Sequence, residues 1–202
     1  MNGWPFVSLT PPVWVDLLLA FDGCSVEVSG LGDTERHDYE WRITSLIVLP
    51  QRCSLEGTNF DELAHNHYMS RLLAEGRLDE INSINTLWWH SHVKMPAHFS
   101  SKDVNYIRNT FGRMVPRSDK KPWLVSIVGN KFHKLDARLD IFWPRKVTYE
   151  HLPIRLTEHC SLNDLRRLYR ERRPRMEEII KEMVTIVKPE RPEDEERREP
   201  DE

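Results

Sequence analysis

The order of apolar segments predicts an α/β sandwich built on a mixed sheet. Three observations carry this. Helix, strand, strand, helix, strand, helix, strand, strand follow one another along the chain. Phe132 to Trp143 alternates apolar and other residues in the manner of a half-buried antiparallel strand. Two apolar runs, Ile84–His90 and Trp123–Val128, have the continuous profile of buried strands. Element by element, Thr10 followed by two prolines is a helix start, which sets a helix over Pro12–Phe21 closed by Gly23. Ser25–Gly32 and Arg42–Leu49 read as strands. Phe60–Glu75 has helical spacing and stops at Gly76. Ser101–Met114 is predicted helical, and Val147–Leu156 is a further strand. Leu162–Val187 is helical but interrupted at Pro174, which is expected to begin a second helix because proline breaks a helix interior. The last segment, 188–202, is almost entirely charged residues and proline and is expected to stay disordered.

Composition narrows the class. The 202 residues suffice for about one domain, and 39% hydrophobic with 30% charged residues suits a globular chain. The apolar run Val13–Phe21 is too short to span a bilayer and lacks a basic flank, so no membrane segment or signal peptide is expected. Three widely spaced cysteines, Cys24, Cys53 and Cys160, argue against a disulfide framework and for a reducing, cytoplasmic setting. A net charge of −3 gives no electrostatic case for nucleic acid.

The chemistry concentrates in one stretch. His90 and His92, two apart at the end of a strand, point to the same face and can share one ion. Ser100 and Asp103, three apart at a helix start, lie together in its first turn. Two imidazoles and one carboxylate, with a fourth position left for water, is the catalytic form of a zinc site. Each half has a plainer reading. His-x-His in a strand is commonly just two polar residues, and Ser-x-x-Asp is a capping-box variant. Their combination, H-x-H-x7-S-x-x-D, is what makes the metal reading the stronger one. Other zinc patterns fit worse: no H-E-x-x-H occurs, and Lys94 and Met95 stand where an H-x-H-x-D-H pattern needs Asp and His.

With those residues in place, the chain resembles the JAMM (MPN-type) metalloprotease family, whose signature is an upstream glutamate followed by H-x-H-x7-S-x-x-D. His90, Ser91, His92, Ser100 and Asp103 match it, and Val26-Glu-Val-Ser-Gly-Leu-Gly32 is similar to the family's glutamate-bearing strand. Val93 departs from it, since many members carry proline there. The resemblance spans roughly Val13 to Trp143. It implies a cytidine-deaminase-like fold, a mixed, largely antiparallel curved sheet sandwiched by helices, to which this chain adds C-terminal helices. It also implies one catalytic Zn2+ held by His90, His92 and Asp103, with Glu27 as general base and Ser100 as donor to the oxyanion. Glu35, Glu40, Glu56 and Glu62 are rival acids, Glu40 the foremost; Glu27 is preferred for the small Ser29-Gly30 beside it. The implied substrate is the amide bond after the C-terminal tail of a ubiquitin-like protein, in a prokaryotic system with E1-like and E2-like proteins. Hydrolysis of small peptide or amino-acid conjugates and a non-catalytic scaffold are the alternatives.

The remaining features carry less. His98 in the metal loop is read as solvated, and His65 and His67 fall on different faces of their helix. Trp88 and Trp89 are assigned to the core. The cluster Arg166, Arg167, Arg170, Arg172, Arg173 and Arg175 is equally well a solvated face or a docking surface. The stripe Met176, Ile179, Ile180, Met183 and Val187 packs on the domain or pairs with a second copy in a homodimer. The expected boundaries are a metalloprotease-like domain over 1–158, a helical extension over 159–187 and the tail over 188–202.

Overall fold

A computed structural model describes residues 3–54, 57–60, 62–77, 86–112 and 121–187. The expected tail over 188–202, the rival acid Glu56 and the outer end of the helix predicted to Met114 lie outside these residues. The chain is mixed α/β. Its elements are β1 (Phe6–Leu9), α1 (Pro11–Gly23), β2 (Ser29–His37), β3 (Glu40–Val48), β4 (Gln51–Ser54), β5 (Gly57–Phe60) and α2 (Glu62–Ala74). They continue with β6 (Leu87–Ser91), α3 (Ser101–Tyr106), β7 (Trp123–Gly129), β8 (Leu135–Ile141), β9 (Val147–Tyr149), β10 (Ile154–Leu156), α4 (Leu162–Met183) and β11 (Val184–Ile186). No helix among the described residues is long and apolar enough to cross a membrane.

Eight strands form one mixed sheet in the order β10-β1-β3-β2-β6-β7-β8-β9. The pairs β10–β1, β1–β3 and β6–β7 are parallel, and the rest are antiparallel. Its two outermost strands are neighbours in sequence, so the sheet curls until one short link joins both edges. Val7 N donates to Pro153 O beside β1, and Leu152 N donates to Ala137 O on β8 (both 2.9 Å).

Strand alternation divides the apolar residues between two faces. Leu87, Trp89, Val125 and Ile127 pack with Phe21 and Leu17 of α1, while Trp88 and Leu124 pack with Ile107 and Phe111 beyond α3. The tryptophan pair is therefore core on both sides. Gly30 permits a close approach, since a Cβ there would stand 2.2 Å from the Ile47 carbonyl oxygen and 2.3 Å from the Trp89 ring.

Several expectations are corrected. β1, β4, β5 and β11 carry no clear sequence pattern and were not foreseen. The strand expected over Ser25–Gly32 begins at Ser29 and runs on to His37. Phe60 closes β5 instead of opening a helix, and α2 starts at Glu62. Val147–Leu156 is two strands pairing at opposite edges of the sheet. The helix at Ser101 widens after Tyr106 into a π-type turn over Ile107–Phe111.

The largest correction concerns the C-terminal region, where one 22-residue helix, α4, runs through Pro174. A proline inside a helix costs about 3 kcal/mol. Met176 and Ile180 are buried against the first core, each contributing about 1.5–3 kcal/mol, and this offsets it. Polar ties flank the proline. Arg172 donates twice to Asp16 of α1 (2.6 Å each), and the Tyr169 hydroxyl donates to Asp22 (2.6 Å). Of the basic cluster, Arg172 is thus a tether to α1, while Arg167 and Arg173 pair within α4 with Asp164 and Glu177. The helix ends at Met183, and Val184–Ile186 pairs in parallel with β4, giving a second sheet in the order β11-β4-β5.

Candidate metal centre

β6 ends the central run of the large sheet, with Ser29 of β2 paired to His90 and Val128 of β7 on its other side. That register fixes the imidazole of His90, which is 4% exposed and stacked on the Trp88 ring at 4.4 Å. Ser91 faces the opposite way. It holds the segment beside Glu27, its N donating to Val28 O (2.8 Å) and its Oγ accepting from Val28 N (3.0 Å). A spacing residue in the motif is therefore what ties the histidine strand to the glutamate segment.

His92 follows where β6 ends, its backbone N donating to Gly129 O. Asp103 comes from the first turn of α3. A reciprocal capping box sets it there: Ser100 Oγ accepts from Asp103 N (3.2 Å), and Ser100 N donates to Asp103 Oδ2 (2.7 Å). One ligand atom from each of His90, His92 and Asp103 lies within 4.8 Å of the others, the one such group among the described residues. His90 Nε2 is 3.3 Å from Asp103 Oδ1, His92 Nε2 is 3.5 Å from Oδ2, and the two Nε2 atoms are 3.2 Å apart.

Whether this group suits a cation follows from its donors and acceptors. His92 Nδ1 lies 3.0 Å from the Pro96 carbonyl, which can only accept, so Nδ1 carries the proton. In the neutral ring, Nε2 then turns a lone pair towards the Asp103 carboxylate, and acceptor faces acceptor. A positive charge between them resolves the conflict, whether a proton or a metal ion. The titration directions agree. Burial opposes the charged form of His92, but hydrogen bonds to Asp103 and Pro96 outweigh it and raise its pKa. Burial pushes His90 down, keeping it neutral as a metal ligand must be. Burial also works against ionised Asp103, but hydrogen bonds from His90 and His92 hold its carboxyl well below the usual range. The buried His-His-Asp group fits a metal ion.

The three residues line a cleft of about 730 Å³, together with Glu27, Ser29, Ser54, Gly57, Thr58, Trp88 and Ser100. Glu27 is 9% exposed, and its backbone N donates to Ser54 O of β4 (3.2 Å). Desolvation raises its carboxyl pKa, Asp103 adds to the rise, and His92 and Lys102 partly oppose it. Glu40 lies elsewhere, at the far end of β3, bonded to Ser8 and Arg42. Glu35 is exposed and pairs with His37. Side chains Glu62 and His65 lie outside what the structure describes, and His67 is exposed. His98, read as solvated, is exposed and stands on the wall of the cleft.

Gln51 was missed by sequence reasoning. It is 1% exposed and binds Ser29 on both sides: Nε2 donates to Ser29 O (2.7 Å) and Oε1 accepts from Ser29 N (2.9 Å). This clasps the small sheet, and with it the wall at Ser54 and Thr58, to the strand paired with His90. No sequence signal marks it, because its partner lies 22 residues away. Val93 is a second surprise. It adopts φ +47° in a tight turn where Met95 N donates to His92 O and Lys131 N donates to Val93 O. Proline, locked near φ −65°, could not follow this path.

No protein-family model matches the chain, and no curated protein matches it. Fold and site define a mixed α/β protein with a buried His-His-Asp group that can hold a metal ion.

Proposed function

We propose that the chain is a zinc-dependent isopeptidase or peptidase of the JAMM (MPN-type) kind. Its substrate would be the amide bond that follows the C-terminal tail of a ubiquitin-like protein, in a system with E1-like and E2-like proteins. The observation that carries this reading is the convergence of His90, His92 and Asp103 in a cleft that also presents Glu27. The curled sheet between α1 and α3 is compatible with the cytidine-deaminase-like fold of that family.

Zinc bound by His90, His92 and Asp103 would polarise water and the substrate carbonyl. Glu27, with its raised pKa, takes the proton of the attacking water and passes it to the leaving amine. Ser100 Oγ already accepts the Asp103 N–H, so its own hydroxyl proton is free to donate to the developing oxyanion. β5 pairs with β4 alone among the described strands, leaving an edge beside the cleft along which an extended tail could lie.

The test is cleavage of a ubiquitin-like fusion by the purified chain, with and without a chelator, beside Glu27→Gln. Chelator should abolish turnover. Glu27→Gln should retain the metal and slow turnover by about 10²–10⁴-fold. Activity that survives both treatments rules the mechanism out.

A further inference from the structure

The cleft holds one cation that the proposed chemistry does not use. Lys102 stands on α3 between Ser101 and Asp103 and lines the cleft. Its ammonium makes no hydrogen bond or ion pair with any described residue. Lys102 is solvent-exposed, as are Lys94, Lys134 and Lys146, which also lack a described partner; what distinguishes Lys102 is its place on the cleft wall beside the metal-binding group. The neighbouring acid cannot serve as its partner. Asp103 Oδ1 faces His90, and Oδ2 accepts from Ser100 N and faces His92.

Other donors stand on the same side. Tyr106 is four residues after Lys102, so the ammonium and the phenol share one face of the helix, and both line the cleft. His98, from the loop leading into α3, lines it too, and its ring makes no hydrogen bond with the described residues. The β4–β5 hairpin lines it with Ser54 and Thr58, and Glu27 stands beside Ser54. With a divalent ion on the histidines, two carboxylates face three positive charges, so the cleft carries a surplus of positive charge at its helix side. A surplus charge on a cleft wall attracts ligands of opposite sign.

Resting on the hydrolase reading above, we infer that Lys102, with Tyr106 and His98 beside it, binds a carboxylate on the amine side of the scissile bond. The preferred substrate then releases an amine that bears an acid within one residue. The α-carboxylate of a terminal amino acid and an Asp side chain both supply that chemistry. A lysine ε-amine inside a neutral stretch supplies neither. The acyl tail lies against the hairpin side and the leaving group against α3. Lys102 sets specificity by binding and takes no part in moving protons.

Three matched peptides ending in Gly-Gly test this on the full, metal-loaded chain. They are joined to alanine with a free carboxylate, to alaninamide, and to aspartate α-amide. The first should exceed alaninamide by at least about tenfold in kcat/KM, mainly through KM, as one well-placed charge pair gives. The aspartate peptide shows whether a side-chain carboxylate serves as well. Lys102→Met should bring the ratio of acidic to neutral substrates close to one, and Lys102→Arg should restore most of it. An affinity readout runs beside turnover: N-acetylalanine should raise the melting temperature of wild type and not that of Lys102→Met. A shift that persists in Lys102→Met overturns the inference, because the carboxylate is then held elsewhere. Equal cleavage of all three peptides overturns the inference and leaves the hydrolase standing. No cleavage of any by metal-loaded protein overturns both.

Discussion

Two clusters of charged side chains tie helices to the body of this molecule, and they are built on opposite plans. Between α1 and α4, Asp16 takes two hydrogen bonds from Arg172, and Asp22 takes one each from Tyr169 and His133. Each carboxylate there meets two donors, so the cluster needs no cation. In the cleft, the Asp103 carboxylate and the lone pair of neutral His92 Nε2 converge instead, and a cation is needed to complete the set. Similar residue types thus serve attachment in one place and ligand capture in the other. The count of donors against acceptors separates them.

The strongest way to break this contrast is to remove a cleft acceptor. Asp103→Ala should abolish stoichiometric metal binding and lower turnover by at least about 10³-fold, read by metal analysis and by peptide cleavage. Metal retained at full occupancy would show that the carboxylate is no ligand. Next in size, Arg172→Ala strands the half-buried Asp16 and should cost about 1–3 kcal/mol in denaturant unfolding. Metal content should stay as in wild type, because this cluster needs no ion.

Acidity sharpens the comparison further. His92 has a raised pKa, so a metal ion must displace its proton, and metal affinity should rise with pH until His92 is neutral. Without metal the sign reverses. A raised folded pKa stabilises below the unfolded value, near 6.5, and that contribution is lost as pH rises through the folded value. Thermal melts of chelated protein should therefore weaken over the interval in which metal binding strengthens. The two curves running in parallel would count against His92 as the competing site. Smallest of all, Val93→Gly should raise stability by about 0.5 kcal/mol. It relieves a left-handed backbone at a β-branched residue, partly offset by glycine's greater unfolded entropy.

How far the sequence foretold the molecule depended on the range of each interaction. His90 and His92 were legible because alternation in a strand is local, and Ser100 with Asp103 because a capping box spans one turn. Pro174 misled because the contacts that keep α4 whole, Met176 and Ile180 against the core, come from distant elements. Val-Thr-Ile at 184–186 prolonged a helical stripe on paper, yet pairs with β4 more than 130 residues earlier. The small sheet stayed hidden for the same reason. Its strands are three or four residues long, too short to show a period. The likeness that points to Glu27 rests on few positions, and its small neighbour Gly30 makes room for the Ile47 carbonyl and the Trp89 ring.

The capping box at Ser100 and Asp103 has a consequence for how this site can change over generations. One tetrapeptide both starts α3 and presents the carboxylate, so a single substitution there is judged twice, as folding and as coordination. Asp103→Glu would separate the two, since glutamate is the commoner partner in such a box but is one methylene longer. The helix would still begin in the same place, and the oxygen would arrive in another.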